Sequence, residues 1–245
     1  MNKKNKNAKK ESNQQVQDQQ SQMNSLASLD ISKKIIFLKK ILWTWLIWQS
    51  VIVLSCFVIY IEPPFLSVLL ELFDSDLLLM FFVSLTIVLL YFGSSNINQI
   101  EEKRAQIYLI SIIITQTLLY SQITSKLNQT NSINFILIHC MLLIVIGNLL
   151  LHFRIVREIN HQIYFKQMIQ YCGLLIAAEF FFTKTTSINT LQGIIVIVSI
   201  LGFGTFTLRS IESLTDGKFN LKEEQVYLGC VVAYTNLLLP NRKFE

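Results

Sequence analysis

Long stretches of apolar residues, separated by short polar segments, dominate the chain from residue 41 onward. The apolar positions are consecutive rather than alternating, which is typical of segments that have lipid as their solvent. Lipid offers no hydrogen-bond partner to open backbone groups, so a membrane-spanning chain must form helices or a closed barrel, and continuous runs favour helices. The pattern therefore predicts an all-α, polytopic membrane protein.

Six of these apolar runs have 16 to 21 residues each, close to the ~20 residues that cross the hydrocarbon core of a bilayer. They are Ile41–Ile61, Leu77–Phe92, Ile107–Ile123, Ile133–Phe153, Tyr164–Phe182 and Leu191–Leu208. Trp43, Trp45 and Trp48 cluster at one end of the first run, where they predict an aromatic belt at the membrane interface. We expect each run to form one transmembrane helix.

A seventh apolar stretch, EEQVYLGCVVAYTNLLLP from Glu223 to Pro240, is shorter and has polar residues in its middle. Pro240 would end a helix. Arg242 and Lys243 follow it, and a full crossing would carry both charges to the opposite side of the membrane. We therefore expect a shorter, semi-hydrophobic seventh helix that is re-entrant or partly embedded and enclosed by the other six.

Lys and Arg are distributed unevenly among the polar segments. With a cytosolic N-terminus, 19 of them lie on the cytosolic side and only Lys126 and Lys184 lie outside. The positive-inside rule thus predicts that the N-terminus is cytosolic. Residues 1–34 are rich in Lys, Asn, Gln and Ser and predict a disordered cytosolic tail. The membrane domain then covers residues 35–240, and residues 241–245 form a short C-terminal tail.

The composition agrees with a membrane protein and excludes several other classes. Charged residues make up 15% of the chain, against about 25% in soluble domains. The net charge of +5 follows from the topology. The sequence does not combine basic residues with stacking aromatic residues on a soluble surface, so we do not expect nucleic acid as a partner. The sequence shows no catalytic constellation and no metal-ligand spacing, so we expect neither an enzyme nor a cofactor. The cysteines all fall inside apolar runs and are expected to be free and buried: Cys56, Cys140, Cys172 and Cys230.

Two polar positions are candidates for function or modification. Glu179 lies within the fifth run, where a carboxylate is costly and suggests a functional role, although it is close enough to the outer end of that run to reach water. Asn128 begins the glycosylation sequon Asn-Gln-Thr in the loop that is predicted to lie outside.

Other polar and small residues within or beside the runs favour packing roles. We expect Gln116 and His139 to form hydrogen bonds between helices. His152 flanks an inner loop and is expected at the solvated surface. Gly202 and Gly229 would allow their helices to approach a neighbour closely.

The stretch DGKFNLKEEQVYLGCVVAYTNLLLP resembles the C-terminal signature of the transmembrane BAX inhibitor motif family, in its Lifeguard branch. That signature has a polar loop, a Pro-Glu-Glu-Tyr-like start, a semi-apolar helix and then Leu-Tyr-x-Asp. Glu224 and Gln225 stand at the acidic pair, and Tyr234 and Asn236 stand at Tyr-x-Asp. The segment FLKKILWTWLIWQSVIVLSCFVIYIEPP is similar to the basic start of the first helix in that family and the Glu-Pro after it.

The resemblance implies a seven-helix bundle around a central C-terminal helix. It also implies a calcium leak in endoplasmic reticulum or Golgi membranes, with calcium as the transported ion, and a role in regulating cell death. In that family, two buried carboxylates at the end of the sixth helix and in the seventh helix share a proton and gate the leak. Here Asn236 replaces the seventh-helix acid, and the sixth-helix position falls near Arg209 or Ser210, with Glu212 close by. Since amides do not ionise, this chain lacks one of the two acids that a proton gate of that kind requires. The candidates for pore or gating residues are Asn236, Tyr234, Glu212, Arg209 and Glu179.

A second interpretation is a non-conducting membrane scaffold, or an accessory subunit whose partners are other membrane proteins. The missing acids favour it. A secondary transporter would need an internal inverted repeat, which neither the lengths of the runs nor their polar residues indicate.

Overall fold

The computed structural model describes residues 25–61, 75–95, 101–127, 129–156, 160, 162–167, 169–170, 190–216, 219 and 221–238. The regular secondary structure of these parts of the chain is entirely helical, and they contain no strand. A short 3-10 turn, Leu26–Ser28, precedes the helices. The helices are α1 (Ile31–Ile61), α2 (Asp76–Ser95), α3 (Glu102–Lys126), α4 (Gln129–Ile155), α5 (residues 162–167), α6 (Thr190–Thr215) and α7 (Val226–Leu238).

Three helices in the described part of the chain are long and apolar enough to cross a membrane. They are Ile31–Ile61, Glu102–Lys126 and Asn131–Ile155. Asp76–Tyr91 and Val226–Leu237 are shorter apolar helices. These three helices contain the first, third and fourth predicted runs. The fifth run lies mostly outside the described residues, and the six predicted spans stay a prediction.

The first helix begins earlier than its apolar run. The polar composition predicts a disordered tail over residues 1–34, but residues 25–34 are ordered, and α1 already starts at Ile31. Leu26 is buried, and its backbone N–H donates a hydrogen bond of 2.6 Å to the carbonyl of Leu221. Burial of Leu26 and Ile35 therefore fixes a segment that its polar composition alone assigns to the tail. Residues 1–24 lie outside the described part of the chain.

The C-terminal helix is enclosed by four others. Helix α7 packs against α1, α2, α3 and α6, and every side chain from Leu228 to Leu237 is buried or half-buried. Its 13 residues span about 20 Å at 1.5 Å per residue, which is less than the ~30 Å of bilayer hydrocarbon. The expected shorter helix is thus present and is enclosed by four other helices. Its re-entrant or partly embedded position in a membrane stays a prediction.

The interior of the bundle is partly polar, whereas its outer faces are apolar. Buried polar side chains include Gln116, Gln122, His139, Thr207, Thr235 and Asn236. Large apolar side chains point outward from several helices, among them Met80, Phe81, Ile87, Ile107 and Phe206. A water-soluble domain has the opposite preference, because burying polar groups and exposing broad apolar faces both cost free energy in water.

One glycine of α7 allows a close approach to α1. A Cβ atom at Gly229 would lie 2.9 Å from Phe37 Cζ and 3.0 Å from Ile41 Cδ1. The expectation of close packing is therefore confirmed for Gly229. At Gly202, a Cβ atom would meet no described residue within 4 Å, so no close approach is seen there among the described residues.

Polar contacts mark the two ends of the bundle. At one end, Lys126 Nζ lies 2.8 Å from Asp76 Oδ1, and the hydrogen bond and the charge of Lys126 lower the pKa of the Asp76 carboxyl. At the other end, Glu102 of α3 accepts backbone hydrogen bonds from Tyr227 at 2.8 Å and from Leu228 at 3.4 Å. These N–H groups belong to the first turn of α7, whose partial positive charge favours a carboxylate. Glu102 therefore fastens the start of α7 to the start of α3.

Candidate functional site

The middle of α7 is held by aromatic and amide side chains from α1 and α3. The rings of Trp48 and Tyr234 are 4.6 Å apart, and Trp45 Nε1 donates a hydrogen bond of 3.4 Å to the carbonyl of Cys230. Gln116 Nε2 donates to Tyr234 Oη at 2.6 Å. The expected inter-helix bond of Gln116 is thus confirmed, and its partner is the tyrosine of the C-terminal signature.

Helix α4 contributes His139 to the same region. Its ring centroid lies 4.8 Å from that of Tyr120 and 4.9 Å from that of Phe135. His139 Nδ1 lies 3.3 Å from Gln49 Oε1 on α1, which confirms the expected hydrogen bond between helices. Because an amide oxygen only accepts, a neutral His139 carries its proton on Nδ1, and its Nε2 is left as an acceptor.

These residues surround a cavity of about 370 Å³. Side chains from α1, α3, α4, α6 and α7 line it. The aromatic lining includes Trp45, Trp48, Tyr120, Tyr234 and Phe206, and the aliphatic lining is Leu142, Ile146 and Leu237. Its other polar groups belong to Gln49, His139 and Thr207, and no charged side chain of the described residues lines it. Its volume lies within the range of small-molecule sites in proteins, roughly 300 to 1,000 Å³.

Two buried donors beside the cavity have no hydrogen-bond partner among the described residues. They are Trp48 Nε1 and Thr207 Oγ1, and both side chains are 1% exposed. A buried polar group without a partner costs about 1 to 3 kcal/mol. Since most buried polar groups in proteins are satisfied, two such donors on one cavity indicate that the cavity has a polar complement.

Position 236 has a different partner from the one expected from sequence spacing. Asn236 Nδ2 donates to Ser213 Oγ at 3.0 Å, while Ser210 Oγ donates to the carbonyl of Ala233 at 2.6 Å. Arg209 is exposed and Glu212 is half-buried. Ser213, rather than Arg209, Ser210 or Glu212, therefore faces Asn236, and the pair is a hydroxyl and an amide.

The structure corrects two further expectations. Trp45 and Trp48 are buried beside the cavity instead of forming an interfacial belt, and only Trp43 is exposed, at 56%. His152 is buried and its Nδ1 lies 2.7 Å from Gln167 Oε1, so its expected place at the solvated surface is wrong. The helical residues 162–167 pack on the last turns of α4, where the ring of Tyr164 lies 5.3 Å from that of His152 and covers it.

Some of the residues singled out from the sequence lie outside the part of the chain that the structure describes. Glu179 and Asn128 lie outside the described residues, as does Cys172. The other three cysteines are free; Cys56 and Cys230 are buried as expected, whereas Cys140 is only half-buried. Among the described residues, no group of three or more His, Cys, Asp or Glu side chains could hold a metal ion.

Sequence reasoning missed the cavity, and with it Gln49, Tyr120 and Thr207. One signal was present in the first run. Trp45, Trp48 and Ile52 are spaced three and four residues apart, which places them on one helix face, whereas Trp43 lies on another. That spacing indicates a buried face rather than a belt.

The sequence matches no protein-family model, no curated protein and no solved structure at a significant level. The features that bear on function are therefore the apolar helices, the enclosed α7 and the cavity beside it. The likeness to the BAX inhibitor motif family is carried by the two quoted sequence segments.

Proposed function

We propose that this chain is a multi-pass membrane protein of the endoplasmic reticulum or Golgi that supports a slow calcium leak, and through it ion homeostasis and the regulation of cell death. The observation that carries the proposal is the enclosure of α7 by α1, α2, α3 and α6, with Tyr234 and Asn236 among its buried or half-buried residues. A short, semi-hydrophobic helix enclosed by the other helices is the feature that the resemblance to the BAX inhibitor motif family implies.

Hydropathy and charge support the proposed membrane arrangement. Three described helices are long and apolar enough to span, and their outer faces carry large apolar side chains. Lys126 lies at the end of the bundle that also holds Asp76. Basic residues of the first turns of α1 and α3 and the last turn of α4 lie at the opposite end: Lys33, Lys34, Lys103, Arg104 and Arg154. By the positive-inside rule, that opposite end is cytosolic, together with the N-terminus.

The centre of the bundle supports a leak that lacks a proton gate. A gate made of two carboxylates depends on a shared proton, and neither the amide of Asn236 nor the hydroxyl of Ser213 ionises near neutral pH. We therefore propose that the flux is independent of pH across the mildly acidic to mildly alkaline range.

Reconstitution tests this proposal. The purified chain in liposomes that contain a calcium-sensitive dye should pass calcium faster than protein-free liposomes, at a rate that pH does not change. The double variant Ser213→Asp with Asn236→Asp should acquire a pH-dependent flux, because two carboxyls at that distance cannot both ionise cheaply. Ser213→Asn is the uncharged control and should behave like the native chain. Absence of flux from all of these proteins would exclude the leak.

A non-conducting scaffold or accessory subunit is the second candidate, and one observation favours it. No carboxylate of the described residues lines the cavity, although calcium binds preferentially to several oxygen ligands that usually include carboxylates. Co-purification of a stable complex with another membrane protein, together with liposomes that stay impermeable to calcium, would support this candidate.

A further inference from the structure

We propose that the cavity beside α7 binds an uncharged, mostly apolar small molecule that carries a carbonyl-type hydrogen-bond acceptor. The inference rests on the lining of the cavity and its unpartnered donors, and it does not depend on the proposed calcium leak. A ligand of this kind would lie between Trp48 of α1, His139 of α4, Thr207 of α6 and Tyr234 of α7.

The unpartnered groups define the polar part of the ligand. The indole N–H of Trp48 can only donate, so its partner must be an acceptor. The hydroxyl of Thr207 can donate to the same or a second acceptor, and both side chains are 1% exposed. Neither atom has a partner among the described residues. An acceptor on the ligand would therefore satisfy groups that the protein leaves unpaired.

The rest of the lining defines the ligand as neutral and apolar. Aromatic rings and the aliphatic side chains of Leu142 and Ile146 form most of the wall. No Asp, Glu, Lys or Arg of the described residues lines the cavity, so neither a metal cation nor an anion would find a counter-charge. A quaternary ammonium could lie against the aromatic rings, but it has no acceptor to offer Trp48.

The lining also indicates one side from which a ligand could enter. Phe203 and Phe206 of α6 line the cavity and are also exposed on the outer surface of the bundle. In the proposed membrane arrangement, that outer surface faces the acyl chains. The same chemistry could reach the cavity from the lipid phase, as an ester of a glyceride, or from water, as a small ketone.

Photolabelling of the full chain by benzophenone tests the proposal, because this neutral aromatic ketone is both a fitting ligand and its own cross-linker. Illuminated benzophenone inserts into nearby C–H bonds, and the adducts are located by mass spectrometry. We expect saturable adducts on peptides that contain Leu142, Ile146 and Leu237. Diphenylmethane has the same two rings but no carbonyl. It should suppress these adducts only at a concentration roughly tenfold above the half-saturating concentration of benzophenone, as expected for the loss of one or two hydrogen bonds.

Three variants separate the cavity from the general apolar surface. Thr207→Val keeps the shape and removes the hydroxyl, and Trp48→Phe keeps an aromatic ring and removes the N–H. Each should weaken binding roughly two- to tenfold and should reduce the advantage of benzophenone over diphenylmethane. Ile146→Trp fills the cavity and should abolish the saturable adducts. Trp43→Phe changes an exposed tryptophan away from the cavity and is the matched control that should label like the native chain.

Two competitors identify the source of the ligand. Displacement of benzophenone by monoolein, an uncharged glyceride, supports a ligand from the membrane, and displacement only by cyclohexanone supports one from water. Should Ile146→Trp fail to show a cooperative thermal transition, the volume-preserving Thr207→Val decides. Adducts scattered over the outer faces and unchanged in Thr207→Val and Trp48→Phe would overturn the proposal. Suppression of the adducts in the native chain by diphenylmethane at the half-saturating concentration of benzophenone would also overturn it.

Discussion

Helices α2 and α7 are the two shorter apolar helices of the described chain, and the bundle places them in opposite environments. Helix α2 has no fully buried side chain among its described residues, and Leu77, Met80 and Phe81 point outward. Helix α7 is enclosed although it contains Tyr234, Thr235 and Asn236. The more uniformly apolar helix is thus outside and the more polar one is inside. In lipid, polar side chains gain from one another and apolar side chains lose nothing by facing outward.

Truncation of one leucine on each helix should show the largest difference between α2 and α7. Leu228 of α7 is 4% exposed, and Leu228→Ala should lower the free energy of unfolding by about 2 to 3 kcal/mol, near the lower end for buried leucines. The cost stays near that end because, in a membrane, lost packing rather than transfer from water supplies it. Leu77→Ala on α2, at 80% exposure, should change stability by less than about 0.5 kcal/mol. Thermal unfolding in detergent measures both, and equal effects would contradict the placement.

Adding a methyl group to a glycine tests how closely α7 approaches α1. Gly229→Ala should destabilise the bundle by about 1 to 3 kcal/mol, because its Cβ would press on the buried ring of Phe37. Gly202→Ala on α6 meets no described residue within 4 Å and should be neutral or slightly stabilising, as alanine favours helix by up to about 1 kcal/mol. The same melting experiment checks the pair. Destabilisation by Gly202→Ala of the same size as by Gly229→Ala would contradict the difference between the two positions.

Replacement of the Glu102 carboxylate tests whether this residue anchors the start of α7. Glu102→Gln removes the charge that faces the first turn of α7 and should cost about 0.3 to 2 kcal/mol. The backbone amides of Tyr227 and Leu228 should then exchange hydrogen faster, which hydrogen–deuterium exchange mass spectrometry measures. Glu101→Gln is the matched control, because Glu101 makes no capping hydrogen bond with its side chain. Unchanged exchange in Glu102→Gln would exclude the anchoring role.

The ion pair between Lys126 and Asp76 should give the smallest effect. Because the folded state lowers the pKa of Asp76 from its ordinary value of 3.8, the pair stabilises the protein at pH values above 3.8. That stabilisation fades as the pH falls through the lowered pKa of the folded state. Stability measured against pH should lose this acid-side component in Asp76→Asn and at high salt, which screens exposed charges. A larger acid loss in Asp76→Asn than in the native chain would contradict the pairing.

Sequence alone predicted the helices well because each depends on a local run of apolar residues. Helices α1, α2, α3, α4 and α6 contain the corresponding runs, and α1, α3 and α6 extend well beyond them at one end. These extensions could not be predicted from hydropathy, since Lys33 and Lys34 interrupt the apolar pattern at the start of α1 while Ile35 beside them is buried. The fifth run lies mostly outside the described residues, so its helix stays a prediction.

The candidate site was only partly accessible to sequence reasoning. The motif singled out Tyr234 and Asn236, and the structure brings Gln116 and Ser213 to them. Ser213 was missed because the register between α6 and α7 depends on the loop and on packing, which residue spacing does not reveal. The cavity was missed because its shape depends on the volumes of side chains from five helices at once.

Labelling from the lipid phase reports directly on the enclosure of α7. The full chain is reconstituted with a phospholipid that carries a diazirine on its acyl chain, and the illuminated protein is mapped by mass spectrometry. The account predicts strong labelling of the outward residues of α2, such as Met80 and Phe81, and almost none of Leu228–Leu237. Labelling of α7 as strong as that of α2 would contradict it.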